Sequence, residues 1–186
     1  MSELDITMVS DDAWQRFTPE NGQNTPPADG AWLVPVETWL AHREELLERP
    51  SPVGLWVKPG DDVDALSGTL DGLALVAVDF PVFTDGRSFT AGKLIRQRLG
   101  WTGELRAIGD VLADLVNYLA RCGFDSFALK PGQSLESAQA QLRLFARGYQ
   151  RGYAHPLAAG GNRSEIGQPV RSIRFIQANV EVKEEA

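Results

Sequence analysis

The sequence predicts an α/β domain in which repeated βα units build a parallel sheet, curled in the manner of a partial βα barrel. Three observations carry that prediction. Leu73–Phe80 is an almost wholly apolar run, the pattern of a parallel strand covered on both faces. A polar loop, helically spaced apolar residues and a second strand-like run at Leu105–Gly109 follow it, as linked βα units require. Five strand–helix pairs succeed one another along the chain, an alternation that favours a parallel α/β fold over a sandwich or a bundle. An open, flavodoxin-like doubly wound sheet is the alternative that fits the same pairs.

Residues 1–30 read as an N-terminal extension, with a short strand at Leu4–Val9 and a loop at Asn21–Gly30 rich in turn formers. The α/β domain then occupies residues 31–150. Its first unit is the apolar run Ala31–Val36, followed by Trp39, Leu40, Leu46 and Leu47 at helical spacing and stopped at Pro50. Val53–Lys58 is strand-like, and Asp61–Leu70 holds a short helix weakened by Gly68. Pro81 ends the Leu73–Phe80 strand by removing a ladder donor.

Ser88 or Thr90 then caps a helix whose Ala91, Leu94, Ile95 and Leu99 share one face, with Gly100 placed to stop it. After Leu105–Gly109, Asp110 is placed to accept hydrogen bonds from the amides that open a helix over Val111–Cys122. Leu112, Leu115, Val116 and Leu119 form its buried stripe, and Gly123 its C-cap. Ser126–Leu129 is the next strand. Ser134 caps a helix carrying Leu135, Ala138, Leu142 and Phe145. Residues 151–186 read as a C-terminal loop and tail packed on the same domain, with a short strand at Ser172–Ile176 and an acidic end at Glu181–Ala186.

Composition narrows the partners. At 186 residues, 43% hydrophobic and 23% charged, the chain suits one globular domain that needs no disulfide or metal staple. A formal net charge of −7 argues against nucleic acid and anionic membranes as non-specific partners, because both are polyanions. The single cysteine cannot form an internal disulfide, the first residues carry no signal-peptide pattern, and no apolar run is long enough to span a bilayer. These features point to the cytoplasm.

Ligands of parallel α/β domains approach the carboxyl ends of the strands. Period-two alternation places Asp79, Arg106 and Lys130 on corresponding strand faces, so the three converge at one rim if those faces lie on the same side of the sheet. Arg87, in the loop after the first of these strands, joins them. Two or three cations beside one carboxylate suit a small oxyanion, since Arg forks bind it bidentately while Asp79 orients them. The same residues also suit a structural ion-pair network closing the strand ends. Asp85 reads as a turn former before Gly86. Lys93, Arg96 and Arg98 give the Ser88 helix a basic face, either solvated or matched to an acidic partner.

Cys122 reads as a small apolar residue, and His42 and His155 as structural, too isolated from other ligands to form a metal motif. The sequence has no Gly-x-Gly-x-x-Gly after a strand, no phosphate-binding Gly-Lys-Ser/Thr loop, no Gly-x-Ser-x-Gly and no cysteine set for an iron–sulfur cluster. The cofactor therefore stays unknown, and a redox group would need another binding mode or another subunit.

Three segments, Val78–Ala91, Gly103–Asp114 and Arg121–Phe127, together with Trp32–Pro35, resemble a bacterial family known as domain-of-unknown-function family 934. That resemblance covers most of residues 30–150. It implies a role in sulfur assimilation, since the family is usually encoded beside assimilatory sulfite reductase and labelled a probable oxidoreductase of sulfite reduction. It implies sulfite reductase as a partner and supplies no mechanism. The chain departs from the family pattern at Leu115, where Gln is usual, and at Gly92, where a better helix former is typical.

Overall fold

The computed structural model describes residues 6–10, 12–20, 22–82, 84–144 and 173–177. Among these residues eight strands, all parallel, form one sheet: β1 (Ile6–Val9), β2 (Trp14–Arg16), β3 (Ala31–Pro35), β4 (Val53–Val57), β5 (Leu75–Phe80), β6 (Glu104–Gly109), β7 (Ser126–Leu129) and β8 (Ile173–Gln177). Four helices accompany them among the described residues: α1 (Val36–Leu47), α2 (Arg87–Gln97), α3 (Val116–Arg121) and α4 (Leu135–Leu144).

The strand order is β2-β3-β4-β5-β6-β7-β8-β1. Each strand from β2 to β8 lies beside its successor, so the winding never reverses, and the doubly wound alternative is excluded. Curling follows from the chain itself. A flat sheet of eight strands would hold its edges about 34 Å apart at ~4.8 Å per step. The edge strands β1 and β2 are joined from Val9 to Trp14, a reach of at most about 18 Å. The sheet must bend to bring its edges that close, which gives a curled half-barrel.

Alternation along each strand then divides the core. Outward residues Val34, Leu55, Val76, Val78, Leu105, Phe127 and Phe175 pack with Trp39 and Leu46 of α1, Ile95 of α2, Leu119 of α3 and Leu142 of α4. Inward residues Leu33, Leu75, Ala77 and Ile108 form a second cluster with Trp14, Trp56 and Ala128, and no helix contributes to it. Gly54 belongs inside because any Cβ there would stand 2.8 Å from Leu33 and 3.1 Å from Trp14. Gly92 has a reason of the same kind: a Cβ would meet Phe124 at 2.3 Å, so its lack of a side chain lets α2 seat against that ring.

Several local expectations change. The N-terminal segment supplies both edge strands, and β2, three residues long, is too short to show a period. Asp61–Leu70 contains only a single 3-10 turn at Asp64–Leu66, with Gly68 at φ 72° just beyond it. The α2 helix starts before Ser88 and Thr90, with Gly86 at its N-cap and no side-chain cap. Ser88 is instead buried, its hydroxyl donating to the carbonyl of Asp79. Asp110 does not cap α3 either. Gly109 at φ 93° and extended Leu112 carry the chain across the sheet end before a 3-10 turn at Ala113–Leu115 leads into the helix. Gln133 Oε1 takes the Ala113 amide there. Ser134 does cap α4, accepting the Ser137 amide at 3.2 Å. Phe145, His155, residues 151–172 and the acidic end lie outside the described residues.

Candidate functional site

The inner face carries its polar residues at two heights. Strand register sets Ala77, Arg106, Ser126 and Arg174 side by side on neighbouring strands, with Trp56 beside Ala77 and Thr7 beside Arg174. One step nearer the carboxyl ends, Asp79 lies beside Ile108. Asp79 and Arg106 therefore belong to the same face, and Lys130 follows directly after the last residue of β7. They do not all point to the same end.

Asp79 stands at the carboxyl mouth, buried, with Oδ2 accepting the Trp56 indole N–H at 3.3 Å. A Cβ on Gly109 would lie 2.7 Å from Asp79 Oδ1 and 2.6 Å from the Phe80 carbonyl, so only glycine admits the backbone here. Lys58 extends over the Trp56 ring with Nζ 4.4 Å from its centroid, and the Arg16 guanidinium lies 5.5 Å from it. The Asp61 carboxylate accepts the Lys58 amide and holds the β4 loop in a turn.

Arg87 borders the same loop, since a Cβ on Gly60 would lie 3.4 Å from its Nη1. Its guanidinium forks onto Asp85 through Nε and Nη2, the latter at 2.7 Å, and its amide also donates to that carboxylate. Hydrogen bonding from Arg87 holds the Asp85 carboxyl below its ordinary range. Asp85 thus makes its turn and holds Arg87 at once. On the far side of Asp79, Lys130 is 51% exposed and pairs with Asp110 Oδ1 at 2.5 Å. Its amide binds the Val111 carbonyl, so the two loop ends are tied together. Contacts thus run around the rim from Arg87 through Gly60, Lys58, Trp56, Asp79 and Gly109 to Asp110 and Lys130.

Arg106 is turned away from this rim. Its Nε and Nη2 donate to Glu104 Oε1, two residues earlier on the same face, and Nη1 donates to Asp12 at 2.8 Å. Glu104 also receives Arg174 through Oε2. Burial opposes the charge on Glu104, but Arg106, the nearby Ser126 hydroxyl and Arg174 outweigh it and hold the carboxyl below its usual range. Ser126 Oγ is close enough to favour that charge, yet its geometry falls short of a regular hydrogen bond. Arg106, Glu104, Arg174 and Asp12 thus form a partly buried ion-pair network at the lower height, with membership different from the one the sequence suggests for the strand ends.

The basic face of α2 is also redistributed. Lys93 and Arg98 are exposed, Arg98 pairing with Asp64 at 3.0 Å. Arg96 is only 3% exposed. Its Nε donates to the Gly123 carbonyl, Nη1 to the Trp101 and Gly103 carbonyls, and Nη2 to Asp125 at 2.7 Å. It cannot meet a partner surface. Cys122 is buried, and burial pushes its thiol pKa up. His42 lies 3.7 Å from Glu45 on α1. Among the described residues, no group of three or more His, Cys, Asp or Glu side chains is arranged to hold a metal ion, and no helix is long and apolar enough to cross a membrane.

Trp56 and Lys58 are the mouth residues that the motif reading passed over. Their signal was present: Gly54 and Trp56 alternate on the inward face of β4, and Lys58, next in that period, follows its last residue. Asp12 gave no signal, because it lies on an irregular connection and its partner is distant in the chain.

Residues 54–159 match the family model described as "Bacterial protein of unknown function (DUF934)". No curated protein matches the sequence.

Proposed function

We propose, on the premise that the chain belongs to the DUF934 family, that it is an accessory protein of assimilatory sulfite reduction that holds a small oxyanion at the carboxyl mouth of its sheet. The pathway comes from the family likeness, and the ligand class from the mouth. The observation that carries it is the arrangement about Trp56. A buried carboxylate, Asp79, fixes the indole from one side, and Lys58 lies over its ring. Lys130 and Arg87 stand farther along the same rim, each held by one carboxylate. Anchored cations of this kind lose less side-chain freedom when an anion arrives. Arg106 leaves the mouth set, and Lys58 takes its place beside Asp79, Arg87 and Lys130.

Lys93 and Arg98 remain as exposed cations for an acidic surface of the reductase, and the cytoplasm is the compartment that suits this role. A stand-alone enzyme acting on an anionic metabolite is the second reading, favoured by Asp79 itself, a buried carboxylate at the carboxyl end of a barrel strand. Calorimetric titration with sulfite, phosphate and small carboxylates tests the ligand. Lys130→Ala and Lys58→Ala should each weaken binding about tenfold, the worth of one charge-assisted hydrogen bond. Absence of heat with every anion refutes the oxyanion reading. Co-purification with sulfite reductase from sulfate-grown cells then tests the partner separately.

A further inference from the structure

Away from the mouth, three observations meet at one place. Arg106, Ser126 and Arg174 are register partners on β6, β7 and β8, so their side chains leave the inner face next to one another, about 4.8 Å apart at the backbone. Ser126 Oγ is fully buried, lies near the Glu104 carboxylate, and makes no hydrogen bond of regular geometry among the described residues. A buried hydroxyl left in this state is costly and marks a position that another group can complete. The third observation concerns the acceptor on Arg106 Nη1. It is no neighbour in the sheet but Asp12, 94 positions away in sequence, on the connection between the two open edges.

Charge makes the same point. Arg106 and Arg174 bring two positive charges, and Glu104, which bridges them, returns one negative charge. Among the described residues one positive charge is then left for Asp12 to balance. Water reaches this balance point, because the Asp12 side chain is 26% exposed and that of Arg174 is 45% exposed.

We propose that Arg106, Ser126 and Arg174 form a second anion seat, which the Asp12 carboxylate occupies from within the chain and from which a small oxyanion displaces it. A group with two or three oxygens accepts from Arg106 Nη1 as Asp12 does, accepts a hydrogen bond from the Ser126 hydroxyl, and lies beside Arg174. Glu104 stays in place as the bridge that keeps the two guanidinium groups apart. The seat is distinct from the mouth, since Asp79 stands one inward step nearer the carboxyl ends than Arg106, whose guanidinium turns the other way to Glu104. The oxyanion reading above supplies only the choice of sulfite as a probe.

The test is calorimetric titration of the full chain with sulfite, and separately with inorganic phosphate, at low ionic strength. Asp12→Asn should bind about tenfold tighter than the wild type, one charge-assisted hydrogen bond having been released for the ligand. The gain should vanish in Asp12→Asn combined with Ser126→Ala and persist in Asp12→Asn combined with Lys130→Ala. A folded Asp12→Asn protein whose affinity is unchanged or weaker overturns the seat. If Asp12→Asn does not fold in buffer, recovery of a cooperative unfolding transition on adding sulfite or phosphate supports it, and failure to recover overturns it. Binding that Lys130→Ala abolishes, with Asp12→Asn silent, upholds the mouth alone. The reverse pattern upholds this seat and removes the mouth.

Discussion

Replacing Arg96 should be among the most damaging single changes on α2, although its position beside Lys93 and Arg98 gives it the look of a surface residue. In Arg96→Met the apolar stem is kept and the fork is lost. Three backbone carbonyls, those of Gly123, Trp101 and Gly103, lose their donor together, and Asp125 Oδ2 loses its cation. Asp125 still accepts the Leu105 amide at Oδ1, 2.8 Å away, but the guanidinium that faced its Oδ2 in a largely buried place is gone. Removing one partner of a buried pair costs about 3–5 kcal/mol. For a 186-residue chain each kcal/mol lowers Tm by about 2–4 °C, so a fall of about 6–20 °C is expected. Arg96→Lys should recover little of it, because one ammonium cannot reach four acceptors spread over two loops. Lys93→Ala and Arg98→Ala should each stay within about 0.5 kcal/mol of the wild type. Urea and thermal unfolding followed by circular dichroism measure all four. A loss below about 1 kcal/mol for Arg96→Met would refute the reasoning, since stranded buried acceptors cost at least that much.

Three other outcomes follow from the same geometry. Glu104 has its carboxyl held below the ordinary value of 4.5, so its contribution to stability is full above that pH and is lost as pH falls through the folded-state value. The stability gap between wild type and Glu104→Gln should therefore narrow in acid denaturation series below pH 4.5, and a gap that stays constant would contradict the sign. Gly109→Ala should destabilise by about 2 kcal/mol or more, from the left-handed backbone cost and the contact with the Phe80 carbonyl, as read from denaturant midpoints. Cys122 should react with an aromatic disulfide reagent far more slowly in the native protein than in urea, and equal rates would show that its burial and raised pKa do not hold in solution.

Some of this was legible from sequence for a definite reason. A parallel strand covered on both faces leaves a run such as Leu75–Phe80, and alternation within it separates Asp79 from Val78 and Phe80 without any knowledge of the neighbours. Alternation fixes a face, however, and not the direction in which a long side chain then travels. Arg106 shares its face with Asp79 but reaches back to Glu104 and across to Asp12, a residue that no local pattern could bring to it. Helical spacing has the same limit. It groups Arg96 with Lys93, but whether that side of the helix is open depends on Gly123 and Asp125, which fold over it from a later loop. The Asp110 cap failed for a local reason: Gly109 turns the chain through positive φ, and the helix is delayed until Val116.

The division of the inner face into two heights has a physical logic. A strand's amino-terminal half is flanked by ladder partners on both sides, so a polar side chain rooted there can be satisfied only by other rooted groups. Arg106 meets that demand with Glu104 from its own strand and Asp12 from the edge connection. At the carboxyl ends each strand opens into a loop, and the carboxylates that hold the rim cations come from those loops: Asp85 for Arg87 and Asp110 for Lys130. Exchange of partners is cheaper there, because exposed pairs contribute little to stability while buried ones cannot be broken without a charge left behind. The rim can therefore trade a carboxylate for an incoming anion at small cost. The lower network can do so only where one of its members also touches water, and Asp12 is the acidic member that does so most.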